Sequence, residues 1–383
     1  MMSKSICIVS AQYKPHVGGV EQYVENFSKE LVRLGNSVTL ITSSAEGLPF
    51  YQEDEGIKIY RLPSFQLMNG RFPVLKHNRK LIEFTKTIMA EKFDVMLINT
   101  RFYTLSLYGV RLAGKMKIRS IILDHGTGHL NTGGKITTKL GEAYEHAITW
   151  IEKRYCKEFA GVSRATLGWL RHFHIKSDLV LYNSIDVNEF NDLKEGSREN
   201  YRKRFNIPQD DILISFVGRL TVEKGIEELT RAVARVNKAG KTNVWLIAAG
   251  DGYLYEKMNQ IKNNNIFFVG QIGKEDVAEL LAESDIFCLP SVSEGFPTTV
   301  LEAAVSDNFI ISTYNGGTKE LIKDSRYGII LPDNSSEGIY KALIKVLEKK
   351  EYRKSAAKMC YDRVVNTYTW NYTVKKFLDF LNI

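Results

Sequence analysis

The stretch "DIFCLPSVSEGFPTTVLEAA", residues 285–304, reads as a strand, a turn and the start of a helix. Its first half is apolar without alternation, the mark of a strand covered on both faces, as in a parallel sheet. Gly295-Phe296-Pro297 then breaks the strand, and Pro297 suits the first turn of a helix, where a missing N–H costs nothing. The amides around Phe296, Thr298 and Thr299 would then face the crevice at the strand's carboxyl end. Glu294 falls on the loop and Glu302 just over one turn into the helix, eight positions apart. Amides suit an anion, and carboxylates suit sugar or ribose hydroxyls. A capped helix with one carboxylate favoured by its dipole would look the same in isolation.

Working outward, the same strand–turn–helix unit recurs along the chain. "ICIVSA", "SVTLITS", "IKIYRL", "DVMLIN" and "SIILDH" alternate with amphipathic segments in the first half. "DILISFVGRL", "VWLIAAG", "NIFFVG", "DIFCLPS", "FIISTY" and "YGIILP" do so in the second, separated by helical patterns such as 223–239 and 336–350. This predicts an α/β chain of two Rossmann-like, doubly wound domains in tandem. At 383 residues the chain exceeds the ~250–300 at which single cores stop growing, which also favours two domains. The polar segment from Ser184 places a linker at 184–194, between domains over 1–183 and 195–367, with a final amphipathic helix over 368–383.

Composition narrows the function classes. With 44% hydrophobic and 25% charged residues the chain is an ordinary globular protein. No apolar run approaches the ~18 residues that cross a bilayer, and the N-terminus carries no secretory pattern, so a cytoplasmic location is expected. Cys7, Cys156, Cys288 and Cys360 lie far apart, so neither a zinc site nor a disulfide framework is expected. A net charge of +8 favours anionic partners. Nucleic acid is not among those expected, since no recognition motif or aromatic-basic platform is present.

In open parallel sheets, ligands bind beyond the carboxyl ends of the strands, so the loops there carry the candidate chemistry. Gly18-Gly19 precedes a helix and suits an approaching anion, or marks a plain turn. "DHGTGHLNTGGK" (124–135) places His125 at a strand end, and His129 receives no role. In "VGRLTVEKGIEEL", Arg219 and Lys224 flank a strand-to-helix turn, as a phosphate cradle or as surface charges. Gly250 and Gly252 follow another strand, and neither glycine loop has the three-glycine spacing of a dinucleotide fingerprint.

Together these residues resemble glycosyltransferase family 4, retaining enzymes of GT-B fold that use nucleotide sugars. The resemblance rests on Glu294 and Glu302 as an E-x7-E motif, on "GGVEQYV" (18–24), "YNSIDVNEF" (182–190), "GRLTVEKG" (218–225), "GDG" (250–252), "GGTKELI" (316–322) and "YTWNYTVKKFL" (368–378). These follow the family's order across nearly the whole chain. Ser184, where the family usually has glycine, and Thr318-Lys319, in place of a Pro-Glu-like pair, depart from the pattern.

The resemblance implies two domains facing across a cleft, with the last helix returning to the first. It implies that Arg219 and Lys224 hold the donor diphosphate, that Glu302 binds ribose hydroxyls, and that Glu294 and His125 stand near the transferred sugar. It further implies donor contacts from Gly18, Gly19, Gly250, Phe296, Pro297, Thr298 and Thr299. The expected reaction is hexosyl transfer from a UDP-sugar, or next a GDP-sugar, to a glycan or lipid-linked hydroxyl, without metal or other cofactor. Lys14, Arg71, Lys76 and Arg101, on loops assigned to the acceptor, suggest an anionic acceptor and peripheral contact with an anionic membrane. A non-catalytic nucleotide-sugar-binding protein and a GT-B-like epimerase are the competing readings.

Overall fold

The computed structural model describes residues 3–382 apart from 17, 46, 68–71, 130–134, 197–199 and 241–242. The chain forms two compact units, one of residues 1–182 with 373–383, the other of residues 183–372.

In the first unit the strands are β1 (Ser5–Ser10), β2 (Ser37–Ser43), β3 (Tyr51–Asp54), β4 (Ile57–Leu62), β5 (Ser64–Leu67), β6 (Phe72–Leu75), β7 (Val95–Asn99), β8 (Arg119–Asp124) and β9 (Glu158–Gly161). The main sheet runs β3-β4-β2-β1-β7-β8-β9, parallel except for the β3–β4 pair, and β5–β6 form a separate hairpin. Ile6, Cys7, Ile8 and Val9 of β1 are wholly buried because helices cover both faces. The helix Gly19–Arg33 places Tyr23, Val24, Phe27 and Leu31 on that core at helical spacing. Phe27 meets Phe377 of the helix Trp370–Leu381 edge-on at 5.4 Å, which anchors the end of the chain to this unit.

The second unit holds β10 (Ile212–Val217), β11 (Val244–Ala249), β12 (Ile266–Gly270), β13 (Ile286–Leu289), β14 (Phe309–Thr313) and β15 (Ile329–Leu331). They form one parallel sheet in the order β12-β11-β10-β13-β14-β15. Strand order reverses between β10 and β13, and the corresponding reversal in the first unit lies between β1 and β7. The helix Ile226–Lys238 buries Ile226, Leu229, Val233 and Val236, each worth roughly 1.5–3 kcal/mol, and turns Arg231 and Arg235 outward.

Every strand expected from an apolar run is present. Missing from the sequence reading are β3, β9 and the β5–β6 hairpin: "YQED" in β3 is a polar edge, and β9 has only four residues. Within the segment expected to be a linker, Val187–Gly196 is a helix packed on Lys274–Glu283. Asp186 Oδ1 caps it by accepting from the amides of Asn188 and Glu189, and Phe190 anchors it in the core. One buried aromatic in a polar segment leaves too weak a periodicity to read. All four cysteines are buried thiols without disulfides. Among the described residues no helix is long and apolar enough to cross a membrane.

Candidate active site

In the second unit, four loops at the carboxyl ends of β10, β11, β13 and β14 interlock through backbone contacts. Leu220 N–H donates to Asp251 O, Val292 N–H to Glu223 O, and Gly317 N–H to Gly295 O. Glycine is demanded where they pass closest. Gly250 has φ +137°, and a Cβ there would sit 1.9 Å from Gly218 O. Gly225, at φ +72°, would bring a Cβ to 2.4 Å from Pro290 O. The switch-point loops of β10 and β13 are therefore held against each other by backbone, with little freedom to drift.

That closure brings Lys224 and Glu294 together. Lys224 Nζ donates to the Glu294 carboxylate across 70 residues of sequence, with both side chains mostly buried. Arg219 begins the same loop as Lys224 and is exposed; its backbone carbonyl accepts from Thr221 N–H, and its guanidinium makes no hydrogen bond or ion pair with a described residue. Its charge is felt by Glu223, whose carboxyl is held below its ordinary value first by its own backbone amide, then by Thr221 and Tyr253, and also by Arg219.

The helix Thr298–Val305 begins after Pro297, which takes the capping position at φ −68°, ψ 123° instead of the first turn. Its extended ψ turns the chain into the helix, and the Thr298 and Thr299 amides have no acceptor one turn earlier. Phe296 is buried and meets Tyr368 edge-on at 5.1 Å, while its carbonyl accepts from Asn183 Nδ2 at 2.8 Å. Glu302 is fifth in this helix, and its side-chain carboxyl makes no hydrogen bond or salt bridge with a described residue. Enclosure by protein pushes its carboxyl up to about 7, with Lys274 opposing the shift. A carboxylate so placed gains from any ligand that brings it hydroxyl donors.

In the first unit, His125 follows β8. Its backbone N–H donates to Asp124 Oδ1 at 3.0 Å, and its Nε2 lies 3.0 Å from Asn99 Oδ1. Asn99 Nδ2 donates to Val9 O, so Oδ1 is the acceptor and His125 Nε2 carries the proton. Burial pulls the imidazole down to about 3, and Tyr23 packs on it edge-on at 4.9 Å. His125 is thus a neutral ring whose Nδ1 can accept a hydrogen bond; it is unsuited to shuttling protons near neutrality. Gly18 caps the helix Gly19–Arg33, and the buried Glu21 carboxyl turns back toward it, with one oxygen 2.3 Å from where a Gly18 Cβ would stand. The helix start expected to face an anion therefore already faces a carboxyl, which burial raises above its ordinary value.

The cations assigned to an acceptor are mostly engaged within the first unit. Arg101 is 1% exposed and bonds Asp124 at 2.8 Å and Glu145 at 3.2 Å. Lys14 pairs with Glu25 at 2.8 Å, Lys76 lies over the Phe65 ring, and Arg71 falls outside the described residues. Arg101 is accordingly an internal counter-ion and offers no charge at the surface.

Doubly wound units with cations and carboxylates gathered at strand-end loops are the ground plan of GT-B glycosyltransferases, and the solved structures agree. The Anabaena protein HepE, in complex with UDP and glucose, superposes with a TM-score of 0.75 at 16% identity over 99% of both chains. Residues 17–189 match the model "Glycosyltransferase Family 4" and residues 197–363 the model "Glycosyl transferases group 1". An uncharacterized glycosyltransferase of Methanocaldococcus jannaschii is 26% identical over 98% of each chain. The phosphatidylinositol N-acetylglucosaminyltransferase GPI3 subunit of Saccharomyces cerevisiae is 22% identical over 100% of this chain and 81% of its own. The chain belongs to glycosyltransferase family 4 and is a hexosyltransferase of GT-B fold.

Proposed function

We propose that this enzyme transfers a hexose from a nucleoside diphosphate sugar, UDP-linked by preference and GDP-linked next, with retention at the anomeric carbon. The observation that carries this reading is the pairing of Lys224 with Glu294 beside an unpartnered Arg219. Arg219 offers planar donors to the diphosphate, and Lys224 retains two N–H donors after its bond to Glu294. Both would stabilise the charge that develops on the leaving diphosphate, so the chemistry needs no metal at that point. Glu302 would accept from the ribose hydroxyls, and the Thr298 and Thr299 amides would meet the donor from the helix start. Glu294, held by Lys224, lies near the transferred sugar as a positioning group; attack is taken to come from the same face as the leaving group, with the diphosphate helping to deprotonate the acceptor. His125 would accept a sugar hydroxyl as a neutral ring. Gly250 would contribute backbone approach, whereas the helix start at Gly18 and Gly19 is met by the Glu21 carboxyl.

The acceptor is a hydroxyl of a glycan or lipid-linked molecule, bound by the first unit, in cell-surface polysaccharide or glycolipid synthesis. The lipid in the yeast relative's name supports this, whereas the Arg101 charge is taken up by Asp124 and Glu145 and that of Lys14 by Glu25. The enzyme would work in the cytoplasm, at the inner face of the membrane when its acceptor is lipid-linked. Thermal unfolding against UDP-, GDP-, ADP- and dTDP-sugars in EDTA tests the reading. A stabilising shift from one nucleotide class, lost in Glu302→Ala, supports it; no shift from any nucleotide sinks it.

A further inference from the structure

Three histidines far apart in sequence meet on the first unit, outside the residues assigned to sugar transfer. His129 lies on the loop after β8, His146 on the helix Lys135–Tyr155, and His172 on the short turn Arg171–Phe173. Their ligand nitrogens all lie within 4.8 Å of one another. His129 Nε2 is 3.3 Å from His172 Nε2, which is 3.2 Å from His146 Nε2. Tetrahedral zinc with Zn–N bonds of ~2.05 Å holds its nitrogens ~3.3 Å apart.

We propose that His129, His146 and His172 bind one divalent transition metal of the zinc class, with a fourth position open to water.

Protonation favours the same conclusion. His129 Nδ1 lies 3.2 Å from Glu145 Oε2, and a carboxylate can only accept, so Nδ1 carries a proton and the neutral ring that a metal requires presents its Nε2 lone pair. His172 Nε2 faces that lone pair and His146 Nε2 together, and one nitrogen brings at most one proton to the two contacts. A cation satisfies all three lone pairs at once. The His129–Glu145 bond is also the usual support for a metal-bound imidazole, fixing its tautomer and orientation. Glu145 is fixed in turn by Arg101 at 3.2 Å, and the Trp169 ring stacks on His172 at 4.9 Å and 7°. Asp124 and Glu145 share the single Arg101 guanidinium, and Glu145 Oε2 also faces His129.

The bound ion would tie the loop that carries His125 to a long helix and to the turn after the next. The line His129–Glu145–Arg101–Asp124 ends on the backbone N–H of His125. The ion's role is to stiffen this loop, and sugar transfer itself makes no use of it.

The test uses full-length protein without an affinity tag, titrated with Zn²⁺ and with Co²⁺ as a spectroscopic probe. One ion per chain should bind saturably, with the intense visible band of tetrahedral cobalt. Free zinc at about a hundredfold over Kd should raise the unfolding midpoint by roughly 5–10 °C. His146→Ala and His172→Ala change exposed residues, so both should fold while losing more than about tenfold in affinity. His77→Ala should bind like wild type. Binding that does not saturate, or that weakens by less than about tenfold in both variants, overturns the proposal.

Discussion

Replacing Glu302 by glutamine should stabilise the empty protein and impair its use of donor, and pH separates the two effects. The wild-type carboxyl is raised from 4.5 to about 7 by enclosure in the fold. Below about 4.5 it is protonated in both folded and unfolded chains and contributes nothing. Between about 4.5 and 7 the folded state holds the proton more tightly, so stability falls as pH rises, and above 7 the full penalty is present. Two and a half units correspond to about 3 kcal/mol as a ceiling. Glutamine never ionises and escapes this loss. For a unit of this size that is a rise in midpoint of up to roughly 6–12 °C at pH 8, shrinking toward zero at pH 4.5. The assay is thermal unfolding of both proteins across pH 4.5–8.5, with and without UDP. UDP should shift wild type more than the variant, because ribose hydroxyls bond an ionised carboxylate more strongly than an amide oxygen. A stability difference that stays flat across this window, or a variant that loses stability at pH 8, would refute the reasoning.

Other residues give equally direct expectations. Arg219→Ala should leave the unfolding midpoint unchanged, since the side chain is exposed, and should weaken UDP binding by calorimetry about 10–100-fold, the worth of a charge-assisted hydrogen bond. Arg101→Met strands the buried Asp124 and Glu145, and urea unfolding should show a loss of about 3–5 kcal/mol in the first unit. Gly250→Ala forces a Cβ into Gly218 O, and should cost at least about 2–3 kcal/mol or yield insoluble protein.

Much of this architecture was legible because it is local. Each buried strand is an apolar run, and each candidate site loop follows one, so Arg219, Lys224, Glu294 and Glu302 could be picked from sequence as candidates. Pairing across the fold was not legible. Nothing in the spacing of Lys224 and Glu294 shows that the two side chains meet, since loop closure after β10 and β13 decides it. Arg101 sits next to β7 and looks like a surface cation, until the helix Lys135–Tyr155 covers it and supplies Glu145. His129, His146 and His172 stand 17 and 26 residues apart, which matches no ligand spacing on a single helix or hairpin, so the sequence reading gave His129 no role. The helix Val187–Gly196 was hidden by its own polarity, with Phe190 as its inward anchor.

The central claim is that the Arg219–Lys224–Glu294–Glu302 site turns over a nucleotide sugar with retention. Its most direct test is proton NMR of the enzyme with an α-linked UDP-hexose in EDTA, following the first anomer formed by transfer or slow hydrolysis. UDP should be released with the α-anomer appearing first, and neither should occur in Arg219→Ala. A β-anomer appearing first, or turnover that survives the loss of Arg219, would contradict it.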